Sequence, residues 1–335
     1  MKDNIRTNTR KRVLSGIRAN SRLHLGNYLG AIKGMLALQE NPDFETFYMV
    51  ADLHSINVPY KPEDLKKNIR HVVLDYLAAG LDPSKSTIFV QSHIPEHIEL
   101  SYLFATELTV ARMLHLPTYK EKIKQYPDDV NMALLYYPVL MASDILIYKA
   151  NAVPVGDDQL PHLEVTREVA RKMNEKYELD FPEPDQFKTE GHYVPSLTGE
   201  GKMSKSVEGS YILLSDTQNE IREKLAKVPT DSGRGDKIPE TGGVASLFAL
   251  VELFETIEKK EDYKKQYTSD GIKYSELKSE LAEAIYKELG PIQKRRTELE
   301  KDEFYVDNVI QESAKKARDI AGQTLKEVKE KMGLL

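Results

Sequence analysis

At 335 residues the chain is longer than most single hydrophobic cores, so one large domain with an appended helical part is expected. Its formal charge of −6 excludes general coating of nucleic acid and leaves room only for a local basic face. The absence of cysteine excludes a disulfide framework, a thiolate metal site and a cysteine nucleophile, and it fits a reducing compartment.

The first ten residues, MKDNIRTNTR, form a polar extension without the apolar centre of a secretory signal. No run of about 18 apolar residues follows. The expected location is therefore the cytoplasm, with no membrane partner. RVLSGI (12–17) reads as a buried strand, and after a polar turn a helix begins near Gly26 with Tyr28, Leu29, Ile32, Met35 and Leu36 at helical spacing. TFYMVADL (46–53) and STIFVQSH (86–93) read as further strands around a helix, 61–80, that stops at Gly80. A helical insertion over about 97–150 leads to a strand NAVPVG (151–156) and a helix from Gln159. Such alternation predicts a mostly parallel sheet covered on both faces, spanning residues 11–215. From 216 to 335 the pattern is helical, with Gly290-Pro291 expected to separate two helices.

Two short stretches carry chemistry. In His24-Leu25-Gly26-Asn27 a helix start offers unpaired backbone N–H groups to an anion, Gly26 permits close approach, and His24 and Asn27 can add donors. Alone, His24 reads equally as a hydrogen-bonded turn histidine. In Lys202-Met203-Ser204-Lys205-Ser206 two cations and two hydroxyls follow a flexible TGEG turn. No G-x-G-x-x-G occurs, and SLTGEGKM is no P-loop, because Ser196 stands where glycine is required and Met203 where Ser or Thr is.

Together the two stretches resemble the paired signatures of the class I aminoacyl-tRNA synthetases. The resemblance implies a Rossmann-like catalytic domain that binds ATP across the sheet, where an amino-acid carboxylate attacks the α-phosphate and pyrophosphate leaves. It casts His24, Asn27, Lys202, Ser204 and Lys205 as catalytic, with the lysines closing over phosphates as charge develops in the transition state. It further implies ATP contacts from Arg18, Ala19, Asn20, Gly26, Asn27, Lys122, Gly156, Asp157, Asp158 and Val194, and from residues 202–206, Met203 and Ser206 included. Mg2+ is expected only as the companion of the ATP phosphates.

Residues 136–174, YYPVLMASDILIYKANAVPVGDDQLPHLEVTREVARKMN, resemble the tryptophanyl-tRNA synthetases, as do SGIR at Ser15, ADLHSI at Ala51 and PIQKRR at Pro291. Tyr137, Met141 and Asp144 recur on one helix face, and a buried Asp needs a donor, which an indole N–H supplies. The resemblance gives Asp144 that role and places Tyr137, Met141, Val153, Val155, Gln159 and His54 around tryptophan. A tyrosyl enzyme of the same fold is the alternative, since a carboxylate also reads a phenol. His54 reads equally as a satisfied core histidine, Lys122 as a solvated lysine, and His162 and Thr166 as helix-surface residues.

The chain departs from the family pattern at Arg18-Ala19-Asn20-Ser21, where a proline and a glycine are missing and Asn20 is expected to supply a left-handed residue. His93 and His97 suit no metal, because Pro95 breaks their spacing. Lys294, Arg295, Arg296, Lys315, Lys316 and Arg318 read as a basic patch or as solvated helix faces. The resemblance implies that the helical part binds the anticodon of tRNA(Trp), and that the chain works as a homodimer.

Overall fold

The computed structural model describes residues 10–188, 193–205 and 207–335. Strand β1 (Lys11–Arg18) leads through a turn to α1 (Leu25–Asn27), a π turn (Tyr28–Ile32) and α2 (Lys33–Gln39), which run on as one helix. Then come β2 (Phe44–Ala51), α3 (Pro62–Ala79) and β3 (Ser86–Val90). The helices α4 (Glu96–Ala105), α5 (Val110–Leu114), α6 (Pro117–Gln125) and α7 (Met132–Leu146) precede β4 (Ala152–Val153), α8 (Leu160–Tyr177) and β5 (Asp185–Gln186). The remainder is α9 (Gln218–Ala226), α10 (Gly242–Phe254), α11 (Ile257–Thr268), α12 (Tyr274–Lys301) and α13 (Glu303–Lys331).

The five strands are parallel in the order β3-β2-β1-β4-β5. This is a Rossmann-type winding, and its order reverses beside β1, which opens a crevice beyond the carboxyl ends of β1 and β4. Burial on both faces explains the continuous apolar runs. In β2, Phe47, Met49 and Ala51 face a core shared with α4, α7, α8 and α13, whereas Tyr48 and Val50 face one shared with α1, α3, α10 and α12. The C-terminal helices thus complete both layers.

β3 and β4 are shorter than the sequence implies, β2 begins and ends two residues earlier, and β1 is one residue longer at each end. Asp52 caps a turn at Leu53–Ser55 and ends β2, a 3-10 turn at Gln91–His93 ends β3, and Pro154, which lacks an N–H, follows the two residues of β4. The edge strand β5 has no sequence signature because two polar residues, Asp185 exposed and Gln186 half-buried, show no period. Helix α3 ends as expected, with Gly80 at φ 113°.

Gly290-Pro291 does not separate two helices, since α12 runs through it. Proline disfavours a helical predecessor partly by clashing with its Cβ, which glycine lacks. Packing of Leu289 and Ile292 on either side then holds the helix. The turn at 18–21 likewise does without a left-handed residue. Asn20 is not among the non-glycine residues of positive φ, which are Lys149 and Glu178.

Candidate functional site

A cavity of about 780 Å³ opens at the carboxyl ends of β1, β2 and β4. A second, of about 670 Å³, adjoins it, and Arg18, Asn27 and Lys122 line both. The larger carries the predicted amino-acid residues Tyr137, Met141, Asp144, Val153, Val155, Gln159 and His54, together with Asp157 and Asp158. The smaller is more polar and gathers Asn20, His24, Ser204 and Lys205. Two motifs about 180 residues apart in sequence thus meet at one crevice.

Asp144 sits on α7 at the floor of the larger cavity, 1% exposed. Its Oδ1 accepts from Gln91 Nε2 at 2.7 Å and from His97 Nδ1 at 2.6 Å, and its Oδ2 accepts from His54 Nε2 at 2.7 Å. Behind it, the Tyr148 hydroxyl lies 2.7 Å from His97 Nε2. If Tyr148 donates there, His97 is the neutral tautomer with its proton on Nδ1. Burial alone would raise the Asp144 carboxyl, but the bonds from His54 and His97 outweigh it and hold the group at about 2. Gln91 and His97 were not predicted, since they lie 53 and 47 residues from Asp144 in the chain, nor was Tyr148, which is joined to Asp144 only through His97. His54 is both of its expected readings at once, a satisfied buried histidine and a pocket wall.

The folded-state pKa of Asp144 lies below the ordinary carboxylate value of about 3.9. Its contribution to stability is therefore complete above about pH 4 and lost as pH falls towards 2. Urea melts between pH 5 and 2 are expected to show the wild type losing stability more steeply than Asp144→Asn. Parallel losses would show that other carboxylates dominate acid unfolding.

His162 and Thr166, open as surface residues from the sequence, are buried. His162 Nε2 lies 2.7 Å from Thr118 Oγ1 and 2.9 Å from the Tyr137 hydroxyl, and its Nδ1 lies 3.0 Å from Gln159 Oε1. Burial pushes this imidazole down to about 4. Gln159 Nε2 in turn donates to Asp158 Oδ2 at 2.7 Å.

At the second cavity, the expected cradle of unpaired helix N–H groups is absent. Leu25 N–H bonds to Ile212 O at 2.8 Å, Gly26 N–H to His24 Nδ1 at 3.1 Å, and Asn27 N–H to His24 O at 2.8 Å. Asn27 Oδ1 returns the cap by accepting from His24 N–H at 3.1 Å. Gly26 is required by this packing, because a Cβ there would lie 2.9 Å from the His24 ring. Burial foremost, then Lys205 and Lys202, hold His24 down at about 4, so it is neutral and keeps Nε2–H as a donor.

Lys205 Nζ lies 5.6 Å from the centroid of the Tyr211 ring, a cavity residue with no sequence signal. Burial first, and then Arg22 and Lys224, lower its pKa. Lys202 is exposed and lines neither cavity. Met203 is buried, with its N–H on Val194 O at 2.9 Å; neither of these two, nor Ala19, Gly26 or Gly156, lines a cavity. Ala19 N–H bonds to Ser55 Oγ at 2.8 Å. Lys122 is half-buried and donates to Gln125 at 2.7 Å. Ser206 lies outside the described residues.

The basic patch is smaller than the sequence implies. Arg296 is buried and pairs with Asp75 of α3, while Arg318 donates to the His93 carbonyl. Lys294, Arg295, Lys315 and Lys316 remain exposed.

The profile of the tRNA synthetases class I (W and Y) covers residues 6–290, so the chain belongs to that family. Within it the chain groups with the tryptophan–tRNA ligases, being 42% identical over 331 residues to that of Fusobacterium nucleatum, which covers 97% of this chain and 98% of the relative. The crystal structure of tryptophanyl-tRNA synthetase from Campylobacter jejuni complexed with ADP and tryptophan aligns with a TM-score of 0.85 at 29% identity, covering 96% of this chain and 100% of that one. The enzyme from Mycoplasma pneumoniae aligns with a TM-score of 0.81 at 32% identity, covering 97% and 98%.

Proposed function

We infer that the chain activates L-tryptophan with ATP and transfers it to tRNA(Trp). A tryptophan carboxylate oxygen attacks the α-phosphorus, the bond to the bridging oxygen of pyrophosphate breaks, and tryptophanyl-adenylate forms. A terminal hydroxyl of the tRNA then attacks the acyl carbon, and AMP leaves. The observation that carries this reading is the junction of the two cavities at the end of β1: a pocket with the Asp144 carboxylate at its floor opens onto one lined by His24, Lys122 and Lys205.

In this reading Asp144 accepts the indole N–H between the apolar walls Val153 and Val155, while Tyr137, Met141, His54 and Gln159 complete the pocket. Asp144 is already held by Gln91, His97 and His54, so phenylalanine does not strand the carboxylate but forfeits the one further charge-assisted bond that the indole N–H supplies, which favours tryptophan. Asn27, His24 and Arg18 contact the phosphates, and Lys202, Ser204 and Lys205 stabilise the departing pyrophosphate. Gly156, Asp157 and Asp158 border the ribose side, and Ala19, Asn20, Gly26, Val194 and Met203 shape the nucleotide site. Mg2+ accompanies the phosphates, held by them and by water.

Residues 216–335 serve as the helical unit that reads the anticodon, with Lys294, Arg295, Lys315 and Lys316 available to the RNA backbone. Ile98 and Tyr102 on α4, Val110 and Leu114 on α5, and Met132 on α7 are exposed apolar residues, which supports a homodimer built on these helices. Among the described residues no helix is long and apolar enough to cross a membrane. We place the protein in the cytoplasm, where its tRNA is.

ATP–pyrophosphate exchange with tryptophan, tyrosine and phenylalanine tests the reading without tRNA. Exchange with tryptophan alone is expected. Exchange driven by tyrosine would assign Asp144 to a phenol, and none with any of the three would leave a protein that binds without activating.

A further inference from the structure

We propose that His162 is a positioning residue that fixes the hydrogen-bond direction of the pocket for the substrate's α-ammonium group, acting through Tyr137 and Gln159. This rests on reading the larger cavity as a tryptophan site. His162 does not line that cavity, whereas Tyr137, Gln159 and Thr118 do.

The direction follows from one end of the chain of bonds. The Asp158 carboxylate only accepts, so the group that Gln159 turns to it at 2.7 Å is the amide Nε2. Gln159 Oε1 then faces His162 Nδ1 at 3.0 Å, and Nδ1 must carry the proton. In a neutral imidazole, the form that burial favours, Nε2 is left as an acceptor. Nε2 has one lone pair, so of the Tyr137 and Thr118 hydroxyls, 2.9 and 2.7 Å away, one donates to it and the other donates to the first, the two being hydrogen-bonded to each other. Either way the Tyr137 hydrogen is taken within the cluster or turned to Nε2.

Two consequences reach the cavity. Tyr137 Oη has its proton directed inward, so it offers lone pairs outward, and Gln159 Oε1 keeps a second lone pair. Two acceptors fixed on one imidazole, with the anionic Asp158 beyond, complement a cation with several N–H donors, as the ammonium of an amino acid is. With the Nε2-protonated tautomer, Tyr137 would be free to turn its own hydrogen into the pocket, a wrong match for an ammonium.

Isothermal titration of the full-length protein with L-tryptophan and with 3-indolepropionate, which keeps the indole and carboxylate but lacks the amine, separates this role from packing. In His162→Phe, tryptophan affinity is expected to fall about 10- to 100-fold, the value of hydrogen bonds to a charged group, with 3-indolepropionate binding unchanged. His162→Gln, whose Oε1 can stand in for Nε2, is expected to recover part of the loss. Tyr137→Phe is expected to reproduce the loss and to add little to His162→Phe. Equal weakening of both ligands, or undiminished tryptophan binding in His162→Phe, overturns the proposal alone. Wild type that fails to bind tryptophan overturns the underlying reading and the proposal with it.

Discussion

Lys205→Ala is expected to slow single-turnover adenylation by about 10²- to 10³-fold, the scale on which removing one preorganised donor at a developing charge acts. ATP affinity is expected to change far less. The reason lies in the cavity, where burial and the neighbouring Arg22 and Lys224 already disfavour the Lys205 charge. Lys122 and Arg18 add further positive charge around the same space. These groups are assembled against their mutual repulsion, and the interaction that relieves it grows as negative charge builds on the pyrophosphate oxygens. A quenched-flow measurement of adenylate formation, paired with equilibrium ATP binding, checks this. A variant whose adenylation rate stays at the wild-type value, or whose loss lies wholly in ATP affinity, removes Lys205 from the transition state. Lys202 supplies a comparison, because its side chain is exposed outside both cavities here. A comparable loss in Lys202→Ala would mean that the loop moves inward during turnover.

Arg296→Ala is expected to destabilise the fold by about 3 to 5 kcal/mol, the penalty for removing one member of a buried ion pair. Arg296 on α12 is 5% exposed and Asp75 on α3 is 2% exposed. Besides pairing with Asp75, the guanidinium donates to the His71 carbonyl at 3.2 Å, approaches His71 Nδ1 at 2.8 Å and reaches Glu300 at 3.0 Å. Truncation leaves the Asp75 carboxylate buried without its cation. The double variant Asp75→Ala/Arg296→Ala is therefore expected to be more stable than the sum of the two single losses predicts. Chemical denaturation of the four proteins gives the coupling energy directly. Additive losses would show that the pair is solvated in practice and that α12 is held to α3 by apolar contacts alone.

The site is electrostatically tied to this contact. Asp75 on α3, which pairs with Arg296 of α12, also acts on Lys205, so the buried arginine and the lysine of the signature loop belong to one neighbourhood. The sequence places Arg296 in a basic run, PIQKRR, in which the consecutive Lys294, Arg295 and Arg296 look alike. Only the helix phase, with Ile292 and Arg296 turned inward one turn apart, separates the buried arginine from its exposed neighbours.

Much of the site is legible in the sequence for a physical reason. The two signature loops are short, contiguous and compositionally unusual, and the elements around the site follow from local pattern: β1 from its apolar run, the helix after Gly26 from the spacing of Tyr28, Leu29, Ile32, Met35 and Leu36, α7 from the helical spacing of Tyr137, Met141 and Asp144. What could not be read is how polar groups satisfy one another. Gly26 looked like an opening for a ligand, and it is instead the space occupied by the His24 imidazole. Histidines at 97 and 162 looked like a failed metal pair member and a surface residue. They are the buried supports of Asp144 and Tyr137. Each such bond joins segments tens of residues apart, and no local propensity encodes it.

The sequence by itself therefore determined the fold class, the parallel sheet, the two loops that meet at its edge and the family to which the chain belongs. Periodicity and short motifs are local properties, and the strand order with its single reversal leaves one crevice for those motifs to share. Tertiary structure alone decided which charges are buried, which nitrogen of each histidine carries a proton and which backbone groups are already taken. Those depend on the distance to a partner and on the water excluded around it, and both exist only once the chain has closed.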